Sequence, residues 1–423
     1  MDTFLTKIKL LLADKVIVRR ILITIGLLIL FRFGDAVPIP GVDQARLTSY
    51  LAGNSFLGLL SLFSGGGISR LSLFMLGVGP YITATIIMQL LTMVFPKMKE
   101  MYQEEGDLGR KKFSQYSRIL TVPLALIQGF GFLALLRTQN ILGTSTLSDQ
   151  LINLLVITAG AVLAMWIGEL ITEYGISNGT SLIIFAGIVS RIPAIASQVS
   201  ATYDPSQLPL YLLFLGLAVL VVAAVIFITE AERPVPVTYA KQVRGMKVYG
   251  GASTYLPLRV NQSGVIPIIF ALSILLFPQI ISQFLVGINH SVAQAIGGFL
   301  RDFLQNSWLY AGGYFILVFA FTYFYTAVTF DPDKISENLQ KSGAFIPGIR
   351  PGRPTSEYLA KVLTRLTLVG ATFLSIIAVL PLVLQSLTGN ATLAIGGTGL
   401  LIVVSVILEL VKQLDAQVSM KEY

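Results

Sequence analysis

Cysteine is absent from these 423 residues, which excludes disulfides and thiolate-held metal sites. Histidine occurs once, at His290, and no HExxH, GxSxG or P-loop spacing accompanies it, so zinc, hydrolytic and nucleotide chemistry lack their usual side chains. Charge is scarce as well: 12% of residues are charged against 54% hydrophobic, with a mean hydropathy of +0.76. That balance excludes a soluble globular chain and indicates a polytopic membrane protein. A net charge of +8 would suggest nucleic acid in a soluble protein, but in a membrane protein the distribution of Lys and Arg says more than their sum. The middle of most apolar stretches carries no ionisable group, where ion-coupled carriers usually need one. An uncharged, glycine-rich interior suits a conduit whose cargo must pass without being held.

What is present is organised around residues 56–91. Residues 56–63 are apolar but far shorter than the roughly 20 residues needed to cross a bilayer core. The run breaks on Ser64-Gly65-Gly66-Gly67, each glycine costing a helix roughly 1 kcal/mol relative to alanine. A second break, Gly77-Val78-Gly79-Pro80, opens an apolar helix over 81–95. Non-helical backbone at membrane depth is tolerated only where protein buries it or it lines a watery cavity, so this reads as a re-entrant segment inside something hollow.

Further spans are expected between Arg20 and Pro38 and over 119–136, 151–171, 181–199, 208–228, 265–286, 308–330, 362–384 and 393–411, ten with the 81–95 helix. Residues 21–31 resemble a signal-peptide core followed by Gly34-Asp35-Ala36, but the spans that follow favour an uncleaved first span. The basic, amphipathic 1–20 segment suits the inner membrane surface. Long polar connections are expected at 97–118, 229–262 and 331–361, all cytoplasmic. On this layout 24 of the 30 Lys and Arg face the cytoplasm and both termini lie there. Five spans on each side of the connection near 200–207 imply two halves, 1–200 and 201–423, inserted in opposite senses.

Chemistry-bearing residues are few. His290 reads as a loop histidine. Glu169 and Glu173 are candidate proton-relay carboxylates, with structural pairing or exposure the plainer reading. Glu409, three residues before Lys412, is expected to form an ion pair with it at the membrane boundary.

Six blocks now bear on identity: FSGGGISRLSLFMLGVGPYITATIIMQLL, EEGDLGRKKFSQYSR, MWIGELITEYGISNGTSLIIFAGIV, ERPVPVTYAK, STYLPLRVNQSGVIPIIFA and SGAFIPGIRPGRPT. In this order they make the chain resemble the SecY family of protein-translocation channels from end to end. The resemblance implies an all-α polytopic membrane protein of the inner (cytoplasmic) membrane, with ten helices in two inverted halves around a central pore and no enzymatic activity, cofactor or metal. Its function would be to pass unfolded secretory polypeptides across the membrane and release apolar segments sideways into lipid. A plug is implied over about 56–74, centred on Phe63, Ser64, Gly65, Gly66, Gly67, Ile68, Ser69 and Arg70. The apolar pore ring maps onto Val78, Ile82, Ile184, Ile188, Ile269 and Ile402, Val78 standing where the family usually has isoleucine. The lateral gate maps onto Gln89, Thr92 and Gln128, with the helices beginning near Val265 and Trp308. Arg110, Arg244, Lys247 and Arg350 fall on loops that dock the SecA motor and the ribosome through its rRNA, though Met246-Lys247 replaces a frequent basic pair. SecE and SecG subunits, signal peptides, nascent chains and membrane lipid complete the implied partners. The alternative from composition alone is a secondary transporter with discontinuous helices.

Overall fold

The Asp14 carboxylate accepts the Val16 N–H at 2.8 Å, satisfying one of the donors that a helix leaves free at its start. Helix α1, Lys15–Asp35, follows from it. The computed structural model describes residues 14–39, 71–138, 141, 146–190, 192–193, 197, 208–239, 242–244, 247–249, 253–286, 290–388 and 396–422. The implied plug residues Phe63 to Arg70 lie outside them.

The helices that follow α1 are α2 (Gly79–Val94), α3 (Pro96–Gln103), α4 (Gly106–Thr138), α5 (Leu147–Tyr174), α6 (Gly179–Val189) and α7 (Leu208–Glu230). After four strands, β1 (Glu232–Tyr239), β2 (Gln242–Arg244), β3 (Lys247–Tyr249) and β4 (Ser253–Arg259), come α8 (Ile266–Val286), α9 (Ser291–Gln305), α10 (Ser307–Thr329) and α11 (Pro332–Lys341). The short β5 (Ala344–Phe345), then α12 (Arg353–Thr388) and α13 (Gly396–Glu422), complete the order. Each of the ten stretches expected as spans contains a helix. Among the described residues four helices are long and apolar enough to cross a membrane, Gly106–Arg137, Leu147–Tyr174, Ser307–Lys341 and Arg353–Ser386. The pair Gly79–Val94 and Pro96–Tyr102, bent by 117°, makes a fifth candidate.

One large apolar core holds these helices together, running from Phe31, Phe74 and Met75 through Ile157, Ile167 and Leu182 to Ile268, Tyr314, Leu374 and Ile402. The 71–78 limb that leads into α2 is pinned within it. Ile39 donates to the Leu71 carbonyl at 2.8 Å and Leu73 to the Val37 carbonyl at 2.9 Å, while the Phe31 and Phe74 rings stack at 4.7 Å. Buried Asp35 accepts from the Ser72 hydroxyl at 2.9 Å and pairs with Arg32. The limb lies so close to α5 that a methyl group on Gly160 would stand 1.9 Å from the Leu73 carbonyl oxygen.

The structure corrects several expectations. The polar 97–118 stretch is helical, because Arg110, Lys111 and Lys112 are good helix formers on an exposed face and the Tyr102 and Phe113 rings, 4.8 Å apart, pack α3 on α4. Residues 181–199 are not one helix. It ends at Val189, capped by the Ser190 N–H on the Ala186 carbonyl at 3.0 Å, and Pro193 lacks the donor a continuing helix needs. Lys412 pairs with Glu230 at 2.8 Å rather than with Glu409, because α13 packs against the end of α7.

The all-α reading is also amended. The 229–262 and 331–361 connections contribute strands to a sheet of order β4-β1-β5, with Val235 opposite Leu256 and Thr238 opposite Phe345, and β2 and β3 form a separate hairpin. Val235 and Val237 alternate inward from β1 and share a second core with Leu258, Ala344, Ile346, Leu359 and Val362.

Candidate functional site

A cavity of about 410 Å3 opens between α2, α4, α5, α6, α8 and α10. Its mouth is polar, lined by Ser114, Arg118, Glu169, Glu173 and Asn178; its apolar wall carries Ile82, Ile184, Ile269 and Phe270. The local sequence explains how each isoleucine is placed. Gly77 takes a φ of 52°, a left-handed value suited to glycine, and Pro80 pre-sets the first turn of α2. Ile82 then donates to the Val78 carbonyl at 3.0 Å, placing the two aliphatic side chains one turn apart on the same face. Asn178 caps α6 by accepting from the Thr180 and Ser181 N–H groups, which sets Ile184 and Ile188 on one face at the same spacing. Ile269 sits in the first turn of α8 and Ile402 in the second of α13, α8 packing on α2 and α6 on α13. Val78, Ile184, Ile188, Ile269 and Ile402 are all buried in the large core, with Ile82 packed against it.

Glu169 is paired. The Arg118 guanidinium donates to its Oε1 at 2.7 Å and the Tyr81 hydroxyl to the same oxygen at 3.4 Å, so α2, α4 and α5 are tied at the mouth. Glu173 is exposed. Arg118 was counted only as a loop charge, and Tyr81 carried no signal, because partners 51 and 88 residues apart in sequence cannot be read from local pattern.

Of the residues expected at the gate, buried Gln128 donates to the Thr83 hydroxyl at 3.4 Å, bridging α4 and α2. Thr92 donates to the Gln89 carbonyl at 2.7 Å, and the Gln89 side-chain oxygen is buried with no partner among the described residues. Helix α8 packs against both α2 and α4, and α10 against α8. Thr83 is a member of this cluster that the sequence reading missed.

Arg110 is exposed on the polar end of α4. Arg244 and Lys247 occupy opposed positions at the closed end of the β2–β3 hairpin. Exposed Arg350 follows a turn braced on both sides: the Thr355 hydroxyl donates to its carbonyl at 2.8 Å, and the Ser336 hydroxyl to the Gly352 carbonyl at 2.6 Å. Gly348 and Gly352 supply φ values of 84° and 93° that other residues resist. His290 is exposed at the start of α9.

The sequence profile of the SecY family matches residues 72–411. The chain belongs to the SecY family. Its relatives include the protein translocase subunits SecY of Corynebacterium glutamicum, 42% identical over 427 residues with 96% of each chain covered, and of Synechocystis, 40% identical over 418 residues with 96% and 92% covered. Among solved structures, a protein-conducting channel aligns with a TM-score of 0.61 at 18% identity, covering 96% of this chain and 93% of that one. A SecY structure describing the plug domain aligns at 0.63 with 19% identity and the same coverage. At such identities the match establishes the SecY fold, a helical channel architecture, and nothing finer.

Proposed function

We propose that this SecY-family chain is the channel subunit of a protein translocase, passing unfolded secretory polypeptides across the membrane and releasing apolar segments laterally into lipid. The observation that carries the reading is the cavity, which sets polar side chains beside isoleucines contributed by three separate helices. An apolar neck stops ions because stripping water from a charge costs far more than aliphatic walls return. A sliding peptide finds no fixed hydrogen-bond partners there.

On this reading ten helices span the inner membrane in two inverted halves, 1–200 and 201–423, with both termini cytoplasmic. Val78, Ile82, Ile184, Ile188, Ile269 and Ile402 form the ring, the 56–74 segment plugs it from outside, and the Gln89, Thr92 and Gln128 region against α8 and α10 is the lateral gate. The sheet and the Arg110, Arg244, Lys247 and Arg350 loops face the cytoplasm to receive SecA or the ribosome, with SecE and SecG as companion subunits. The chain itself has no enzymatic role. The secondary-transporter alternative is weakened at Glu169, whose carboxylate is held by Arg118.

Reconstitution tests this. Vesicles holding the chain with its companion subunits and motor should take up a preprotein and show no uphill accumulation of small solutes. Failure to import any preprotein under conditions where a known translocase succeeds would overturn the proposal. The topology is checked by single cysteines replacing Ser342 and His290, both exposed, which should label from opposite faces of sealed vesicles.

A further inference from the structure

Helix α9 divides its circumference into three sectors. Ala293, Gly297, Leu300 and Leu304, at spacings of four and three, face the protein: Gly297 is buried, its carbonyl accepts from the buried Ser282 hydroxyl of α8 at 2.8 Å, and Leu304 packs on the large core. Ser291, Gln294, Arg301 and Asp302 form a polar sector. The third sector is apolar and uncovered, with Val292 58%, Ile296 49% and Phe299 71% exposed at spacings of four and three.

A helix that buries one stripe against its own protein needs apolar residues on that stripe only. A second apolar sector, next to a polar one, is the pattern of a helix lying in the plane of a membrane surface. The connections leave α9 little freedom to be elsewhere. Asn306 is at once the C-cap of α9 and the N-cap of α10, its side chain accepting from the Trp308 and Leu309 N–H groups. One residue therefore separates α9 from a helix long and apolar enough to cross the bilayer. Trp308, 62% exposed at that corner, is the residue type enriched at the membrane–water boundary.

We infer that α9 is an interfacial anchor. Val292, Ile296 and Phe299 enter the acyl–headgroup boundary of the outer leaflet, to the depth of about 5–10 Å usual for such helices, while Arg301 and Asp302 stay in water. Through Ser282 and Asn306 the anchor holds the outer ends of α8 and α10, two of the proposed gate helices. The inference rests on the channel reading, which puts this connection outside the membrane; the occupant is bilayer lipid because α10, one residue away, is a candidate span that itself leaves Trp308, Leu309 and Ile316 exposed.

The chain contains two tryptophans, Trp166 and Trp308, so a single reporter is accessible. Phe299→Trp in a Trp166→Phe, Trp308→Phe background would be reconstituted with the companion subunits in phosphatidylethanolamine–phosphatidylglycerol vesicles containing brominated phosphatidylcholine. The reporter should emit at shorter wavelength than indole in water and lose more than half its intensity to bromines near the headgroup end of the acyl chain. Bromines at the chain ends should quench it less, and external iodide hardly at all. Ile296→Trp, on the same sector, serves if the first reporter does not accumulate. Emission at the water wavelength with strong iodide quenching overturns the anchor, as does insensitivity to both quenchers, which would mean that a protein surface covers the sector. Preprotein import by the same vesicles reports separately: import that persists beside iodide quenching leaves the channel standing without the anchor.

Discussion

The proposed ring and the sheet, proposed to lie on the cytoplasmic side, hold their residues in place by different means. In the proposed ring, Ile82, Ile184 and Ile269 line the cavity while Val78, Ile188 and Ile402 are buried in the large core, all six owing their positions to helix spacing and packing. In the sheet, seven apolar residues form a small core of their own, while braced turns and left-handed glycines fix the exposed loops. On the proposed reading, the first region presents nothing specific to what passes, while the second presents particular side chains, Arg350 among them, to an arriving partner. A seal should therefore tolerate conservative exchange and fail when wetted, whereas a docking face should fail on one reversed charge and leave the seal intact.

The widest separation between the two regions is expected when Ile82, Ile188 and Ile402 are replaced together by serine. The closed channel should then leak small ions in planar-bilayer recordings, because a wettable neck no longer dewets. Unaltered conductance would remove the ring from the account.

Arg350→Glu should act in the opposite way, abolishing most motor-driven export while the ion seal survives, since a partner's acidic or phosphate group would meet a like charge. Arg350→Lys should recover part of the export, a lysine keeping the charge but losing the two-pronged geometry. Wild-type export by the Glu variant would make this loop a plain connector.

How much of this was legible in the sequence follows the same division. Apolar stretches announce membrane helices by composition, and the motif blocks carry the expectation of ring and gate positions, which remains a proposal. The strand β1 was hidden, because Pro234 and Pro236 argue against a strand. Its other neighbour, β5, pairs only at Thr238 and Tyr239, so the prolines face the β4 ladder alone. The end of α6 was hidden by an apolar run that continues past Ser190 although the helix does not. The Arg118–Glu169 pair is tertiary, and no local spacing encodes it.

Smaller effects sharpen the comparison. Leu258→Ala removes a fully buried side chain from the small core and should destabilise the sheet by about 2–5 kcal/mol, seen as faster protease cleavage of the cytoplasmic loops at unchanged ion conductance. A leak appearing in this variant would show that the two regions are not separable. Smallest of all, Lys412→Ala breaks a half-exposed pair with Glu230 and should cost about 0.2–1 kcal/mol, measurable as a slight fall in thermal midpoint in detergent. A large fall would mean that the α7–α13 contact depends on this pair.

Because β5 adds to β1, strands more than a hundred residues apart in sequence belong to a single plate. The plate is joined to the membrane helices by short stems. One runs from β4 through residues 260–265 into α8, and it passes so close to α12 that a methyl group on Gly370 would stand 2.5 Å from the Val260 carbonyl oxygen. Treated as one body on that stem, the plate would hand a load applied at either connection to α8, with α12 the element packed beside the stem at Gly370.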